Sequence, residues 1–133
     1  ALWMNAGTWQ LIVPLASSAA VNRAQPDLHA LIDSAVDPAH LNIYLWHEAR
    51  HEVTSRYFFN LNQAVIEDPG TGSANCNLGA WAHAQGLAPL SWHVTQAELI
   101  GRPNHLHLSV TADGAISIGG RVMPFASGTL NIF

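Results

Sequence analysis

Apolar and polar positions alternate along this chain with two different periods, and the periods divide it into strands and helices. Gln10 to Val13 is a short, mostly apolar run stopped by Pro14, as expected of a buried strand. Beyond Pro26 the period lengthens: Leu28, Leu31, Ile32 and Ala35 fall on one face at helical spacing. Asn42 to Trp46 and Glu52 to Phe59 are rich in β-branched and aromatic residues and predict two strands joined by a polar turn. A second helix is predicted over Ala74 to Gln85. Ser73 is its expected cap, Leu78, Trp81, Ala82 and Gln85 its stripe, and Gly86 its stop. From His105 to Thr111 the period drops to two, with Leu106, Leu108 and Val110 on one face and His105, His107 and Ser109 on the other. Asp113-Gly114 signals a hairpin, and Gly119-Gly120 and Ser127-Gly128 punctuate further strands, so the C-terminal stretch is expected to be β throughout. Strands around one apolar helix predict an α+β domain over residues 1–133.

Composition narrows the function classes. The net charge is -4, and the chain has only five basic residues, which leaves no basic stripe for a nucleic acid. All five are arginines, so this chain alone cannot form a Schiff base or hold pyridoxal phosphate covalently. A single cysteine, Cys76, fits a reducing compartment, and a cytoplasmic location is expected. Leu2 to Ala20 imitates a signal peptide but lacks a basic start and is broken by Gln10 and Pro14, so a strand and a turn are expected there. No apolar run approaches the ~20 residues that span a bilayer. The chain starts at Ala1 without methionine, as a trimmed product or a piece of something longer would.

Chemistry concentrates in Glu67-Asp68-Pro69-Gly70-Thr71-Gly72-Ser73-Ala74. Two carboxylates enter a Pro/Gly turn that opens a helix, where main-chain donors are unpaired and the partial charge is positive. A substrate carboxylate can sit on the amides of Thr71 to Ser73 while Asp68 reaches a neighbouring carbon or proton. The structural alternative for Asp68 is an acid that stabilises the turn, and Ser73 can serve as a cap alone. Glu67, adjacent in an extended segment, points the opposite way and is expected to be structural. Arg56 can anchor a substrate carboxylate or pair with Glu67. Cys76, in the first turn of the same helix, reads as a small buried core residue. The tryptophans are scattered and read as packing residues, with Trp81 in the central core.

These residues carry a resemblance. Glu67-Asp68-Pro69-x-Thr71-Gly72-Ser73-Ala74 is similar to the second-half signature of the PhzF-like phenazine-biosynthesis proteins, which have a diaminopimelate-epimerase-like fold. Ser55-Arg56-x-Phe58, Gly101-Arg102-Pro103, Gly119-Gly120 and Gly128-x-Leu130 match in order from about Leu11 onward. The resemblance implies a curved mixed sheet or barrel wrapped around a central helix, forming one half of a two-half enzyme with its active site in the cleft. It implies Asp68 as the acidic group of this half, Thr71, Gly72 and Ser73 as the anion-binding turn, and a principal acid/base glutamate in the other half. Family members usually have Ala at position 70, Gly at 97 and Ser at 104, where this chain has Gly70, Ala97 and Asn104.

The expected function is therefore cofactor-free isomerase or epimerase chemistry on a small carboxylate metabolite. No flavin, nicotinamide or metal motif in its proper context accompanies it. The chain would be the C-terminal half of such an enzyme, inactive alone, or would pair with a second copy as a homodimer, or would bind small anions without turnover. A further alternative is a zinc hydrolase, because His47-Glu48-Ala49-Arg50-His51 is a literal H-E-x-x-H string. That chemistry needs a helix, whereas the string lies between two predicted strands and reads as a hairpin turn. His105 or His107 would be sought as a third ligand; otherwise they belong to a solvated sheet face.

Overall fold

The computed structural model describes residues 1–34 and 41–131. Eight strands form one mixed sheet: β1 (Leu2–Asn5), β2 (Trp9–Pro14), β3 (Asn42–Ala49), β4 (Glu52–Leu61), β5 (Ala64–Asp68), β6 (Leu90–Gln96), β7 (Asn104–Val110) and β8 (Ile116–Gly120). The hydrogen-bonded order is β1-β2-β3-β4-β6-β7-β8, with β5 added beside β4. Two pairings are parallel, β2 with β3 and β4 with β6; the others are antiparallel. Helices α1 (Ser18–Arg23) and α2 (Leu28–Ser34) lie in the first crossover, and α3 (Gly72–Ala84) lies in the second.

The sheet curls around α3, which touches β1 and β2 at one end of the strand order and β7 and β8 at the other. Inward-facing Ile12, Tyr44, Trp46, Val53, Trp92, Val94, Leu108 and Val110 close on Leu78 and Ala82 of the helix. This is the curved sheet around a central helix that the resemblance implies. Outside the curl, Leu45 and Phe58 pack under Val21 of α1, so the middle of β3 is buried on both faces. That explains its continuous apolar run. Gly79 lets α3 approach the sheet: a Cβ there would lie 2.9 Å from Ile116, 3.1 Å from Leu108 and 3.3 Å from Val110. The helix ends as read, with Gly86 at φ +73° and Leu87 N–H donating to the Ala82 carbonyl at 3.0 Å.

Four expectations are corrected. The residue flanking the start of α3 is Thr71, not Ser73, and its side chain does not cap the helix. Trp81 is half-buried at the core margin, edge-on to Trp46 at 4.9 Å, and Trp46 and Trp92 take the central positions. Ile32 of α2 is exposed, while Ala35 lies outside the described residues. Beyond β8, residues 121–131 form no regular element. Among the described residues the strand propensity there has no neighbouring strand to satisfy it, and a strand without ladder partners is not stable alone. Val122, Met123, Phe125 and Leu130 stand in solvent as a result.

Candidate functional site

One edge of β4 is shared by two strands. β6 pairs with its first half and ends with Gln96 opposite Ser55, whereas β5 pairs with its second half and ends with Asp68 opposite Tyr57. The two strand ends therefore converge where the sheet splits, and α3 starts in that gap. Asp68, Pro69, Gly70 and Thr71 lead from the sheet edge into the helix, which places a carboxylate at a helix N-terminus.

Gln96 holds this turn from beneath. Its buried carboxamide accepts the Thr71 N–H at 3.2 Å and donates to the Asp68 carbonyl at 2.8 Å and the Thr71 hydroxyl at 2.9 Å. The Thr71 hydroxyl, accepting from Gln96, donates its own proton to Asp68 Oδ2. The Thr71 amide, expected to meet a ligand, is thus engaged inside the protein, as is its hydroxyl, which holds Asp68. The N–H groups of Gly72, Ser73 and Ala74 find no acceptor among the described residues, as the geometry of a first helical turn dictates. Gly72 and Ser73 are exposed.

A second buried carboxamide supports the other side. Gln10, 1 % exposed on β2, donates from Nε2 to the Tyr57 hydroxyl at 3.2 Å and to Ser73 Oγ at 3.1 Å. Its Oε1 accepts from Asn77 Nδ2 at 2.7 Å. Asn75 donates to the Thr71 carbonyl at 2.9 Å and accepts from the Tyr44 hydroxyl at 3.1 Å. Burial, and then the nearby Asp68 carboxylate, push the Tyr57 phenol above its ordinary pKa against the opposing hydrogen bond from Gln10. Burial drives Tyr44 the same way. None of Gln10, Tyr57, Asn75, Asn77 or Gln96 was singled out as a site residue from sequence. The available signal was their phase: Gln10 alternates with inward Ile12, and Gln96 with inward Trp92 and Val94.

The remaining candidates lie elsewhere. Arg56 pairs with Glu67 in a fork, Nε to Oε1 at 3.0 Å and Nη2 to Oε2 at 2.7 Å, and its Nη1 donates to the Ala24 carbonyl at 2.7 Å beyond α1. This guanidinium is committed to structure, and Glu67 with it. Cys76 is half-buried, not fully enclosed as expected, because its helix face is turned partly outward from the curl. The H-E-x-x-H string is a two-residue hairpin: Arg50 and His51 take φ of 57° and 69° between β3 and β4. His47 sits on the strand, with Nδ1 2.9 Å from the Leu15 carbonyl, so the two histidines do not share a helical face. Among the described residues no three His, Cys, Asp or Glu side chains group as a metal site requires. His105 and His107 line an outer-face hollow of about 510 Å³ with His93, Glu52 and Arg121. Among the described residues no helix is long and apolar enough to cross a membrane.

This geometry has relatives. An uncharacterized isomerase of Pasteurella multocida is 41 % identical over 129 residues, covering 96 % of this chain and 43 % of that protein. A solved structure described as a PhzC/PhzF phenazine-biosynthesis protein of Clostridium difficile superposes with a TM-score of 0.64 at 28 % identity, covering 92 % of this chain and 45 % of that one. A Pseudomonas aeruginosa protein described as a predicted epimerase also gives 0.64, at 27 % identity, covering 90 % of this chain and 41 % of that one. The chain thus spans less than half the length of these relatives. The family model of phenazine biosynthesis-like proteins matches residues 1–128, and this chain belongs to that PhzC-PhzF family.

Proposed function

We propose that the chain is the C-terminal half of a PhzF-like isomerase or epimerase that moves a proton on a small carboxylate-bearing metabolite. One observation carries this reading: Asp68 is held by Thr71 at the tip of α3, beside amides with no acceptor among the described residues. In the proposed reaction the substrate carboxylate docks on the N–H groups of Gly72 and Ser73. There the helix terminus stabilises the negative charge that develops as a C–H proton leaves. An acid/base group from a second body of protein takes and returns the proton, while Asp68 orients the exchange or holds one of the protons.

A second body is part of the proposal because this chain covers under half of its relatives. The exposure of Phe125, Val122 and Leu130 also supports a partner surface. The favoured partner is an N-terminal half; a second copy is the alternative, and sedimentation of the chain separates the two. Deuterium incorporation from solvent into small hydroxy and amino acids, catalysed by the chain together with its other half, is the test. Asp68→Asn is expected to slow exchange by about 10²–10⁴-fold, the usual worth of a positioned acid or base. Exchange at an unchanged rate would remove Asp68 from the mechanism. A chain that binds carboxylates and never exchanges protons would instead be an anion-binding module.

A further inference from the structure

We propose that His93 and His107, side by side on the outer face of the sheet, hold a divalent transition-metal ion between β6 and β7. The main chain sets the pair up. His93 and His107 are register partners in the antiparallel β6–β7 ladder. The His93 N–H donates to the His51 carbonyl at 2.9 Å, on the other side, toward the start of β4. A residue's N–H and carbonyl leave an extended strand on the same side, so His93 makes no ladder bond to His107, and the two form a non-hydrogen-bonded pair. That pair type has the shorter Cα separation, about 4.5 Å, and the closer side chains. Alternation puts both rings outside the curl, because Trp92, Val94, Leu106 and Leu108 point inward.

The two rings fit one ion. Their centroids are 5.2 Å apart and their planes are inclined at 47°, so they are not stacked face to face. A tetrahedral zinc ion bound by both at about 2.0–2.1 Å per bond would set the centroids about 5 Å apart. Ser91 Oγ lies 3.4 Å from His107 Nε2, which leaves Nδ1 to a ligand, and an outer partner of this kind orients a ligating ring. The His105 ring is drawn instead to Thr95, whose Oγ1 is 3.3 Å from its Nδ1. Gly119, the register partner of His107 on β8, has no side chain, and a Cβ there would meet nothing within 4 Å. The ion and its waters therefore have room in the hollow of about 510 Å³. Glu52, the register partner of His93 on β4, and Arg121 beyond β8 are the other charged groups lining that hollow, and they offset one another. No third His, Cys, Asp or Glu joins the group among the described residues, so the site is open, with two imidazoles from the protein and water in the other positions. Imidazole suits zinc, copper or nickel, whereas magnesium and calcium take oxygen ligands. The ion clamps β6 to β7 on the face away from α3 and Asp68, so it takes no part in the proposed proton transfer.

Calorimetric titration of the 133-residue chain with zinc chloride near neutral pH, paired with long-range ¹H–¹⁵N spectra of the imidazoles, tests this. The chain has eight histidines, so the ring signals, and not the stoichiometry alone, locate the ion. One zinc ion per chain is expected, with the His93 and His107 ring signals shifting together. Zinc should also raise the melting temperature, because only the folded chain brings the two rings together. His93→Gln and His107→Gln should each weaken binding by about tenfold or more. His105→Gln should leave it nearly unchanged, and magnesium chloride should move neither ring signal. Both rings are exposed, so the variants are expected to keep the wild-type melting temperature without metal. If a variant does not fold, the ring signals of the unaltered chain decide the matter alone. A chain that takes up no zinc would overturn the proposal. So would zinc that shifts other histidine rings and leaves these two in place, or an affinity unchanged in both variants.

Discussion

Replacing Gln96 by leucine removes the support of the Asp68–Thr71 turn while nearly conserving side-chain volume. Gln96 is fully buried and makes three hydrogen bonds, two of them to main-chain groups of the turn. The variant leaves the Thr71 N–H and the Asp68 carbonyl without their partner, at about 1–3 kcal/mol each, and frees the Thr71 hydroxyl to rotate. Burying leucine in place of an amide returns part of this, so the net loss is about 2–3 kcal/mol. For a chain of this length each kcal/mol lowers Tm by about 3–5 °C, giving a fall of about 6–15 °C. Urea unfolding followed by tryptophan fluorescence should show a lower midpoint at an unchanged slope. The Thr71 amide should also exchange with solvent faster than in the wild type. A loss below about 0.5 kcal/mol, the range of a neutral surface substitution, would refute the claim that this carboxamide fixes the turn.

Three other substitutions probe the framework and its acid–base behaviour. Gly79→Ala gains about 1 kcal/mol of helix propensity but forces a methyl to 2.9 Å from Ile116, and overpacking costs about 1–3 kcal/mol. The net expectation is a modest destabilisation in chemical unfolding, and a more stable variant would show that α3 does not press on β7 and β8. Burial raises the pKa of Tyr44 and Tyr57 in the folded chain. Their contribution is therefore intact below the unfolded phenol pKa of about 10 and is lost as pH rises above it, where only the unfolded chain ionises. Stability measured against pH should fall above that point, and Tyr44→Phe and Tyr57→Phe should each flatten the fall.

Much of this was legible in the residues because local rules governed it. A turn within the His47–His51 string, the Gly86 stop and the apolar face of β7 follow from spacing and turn chemistry alone. Asp68 and the helix tip were legible because the turn and the helix start are contiguous in sequence. The support of the site was not. Gln10 meets Ser73 across 63 positions and Tyr57 across 47, and Asn77 meets Ala6 across 71, so no local window contains both partners. A polar residue at an inward strand position was read as an interruption of the apolar pattern, whereas it is buried and satisfied. The C-terminal segment failed for the opposite reason. Its strand chemistry is local, but a strand needs a neighbour, and 121–131 has none among the described residues.

In the proposed function a carboxylate substrate lies at the start of α3 beside Asp68. A crystal structure of the chain with malonate bound tests that placement most directly. The prediction is one carboxylate with its oxygens about 3 Å from the Gly72 and Ser73 nitrogens, within reach of the Ser73 and Tyr57 hydroxyls. Malonate bound instead in the histidine-lined hollow beside Arg121, with the α3 amides left without an anion, would contradict it.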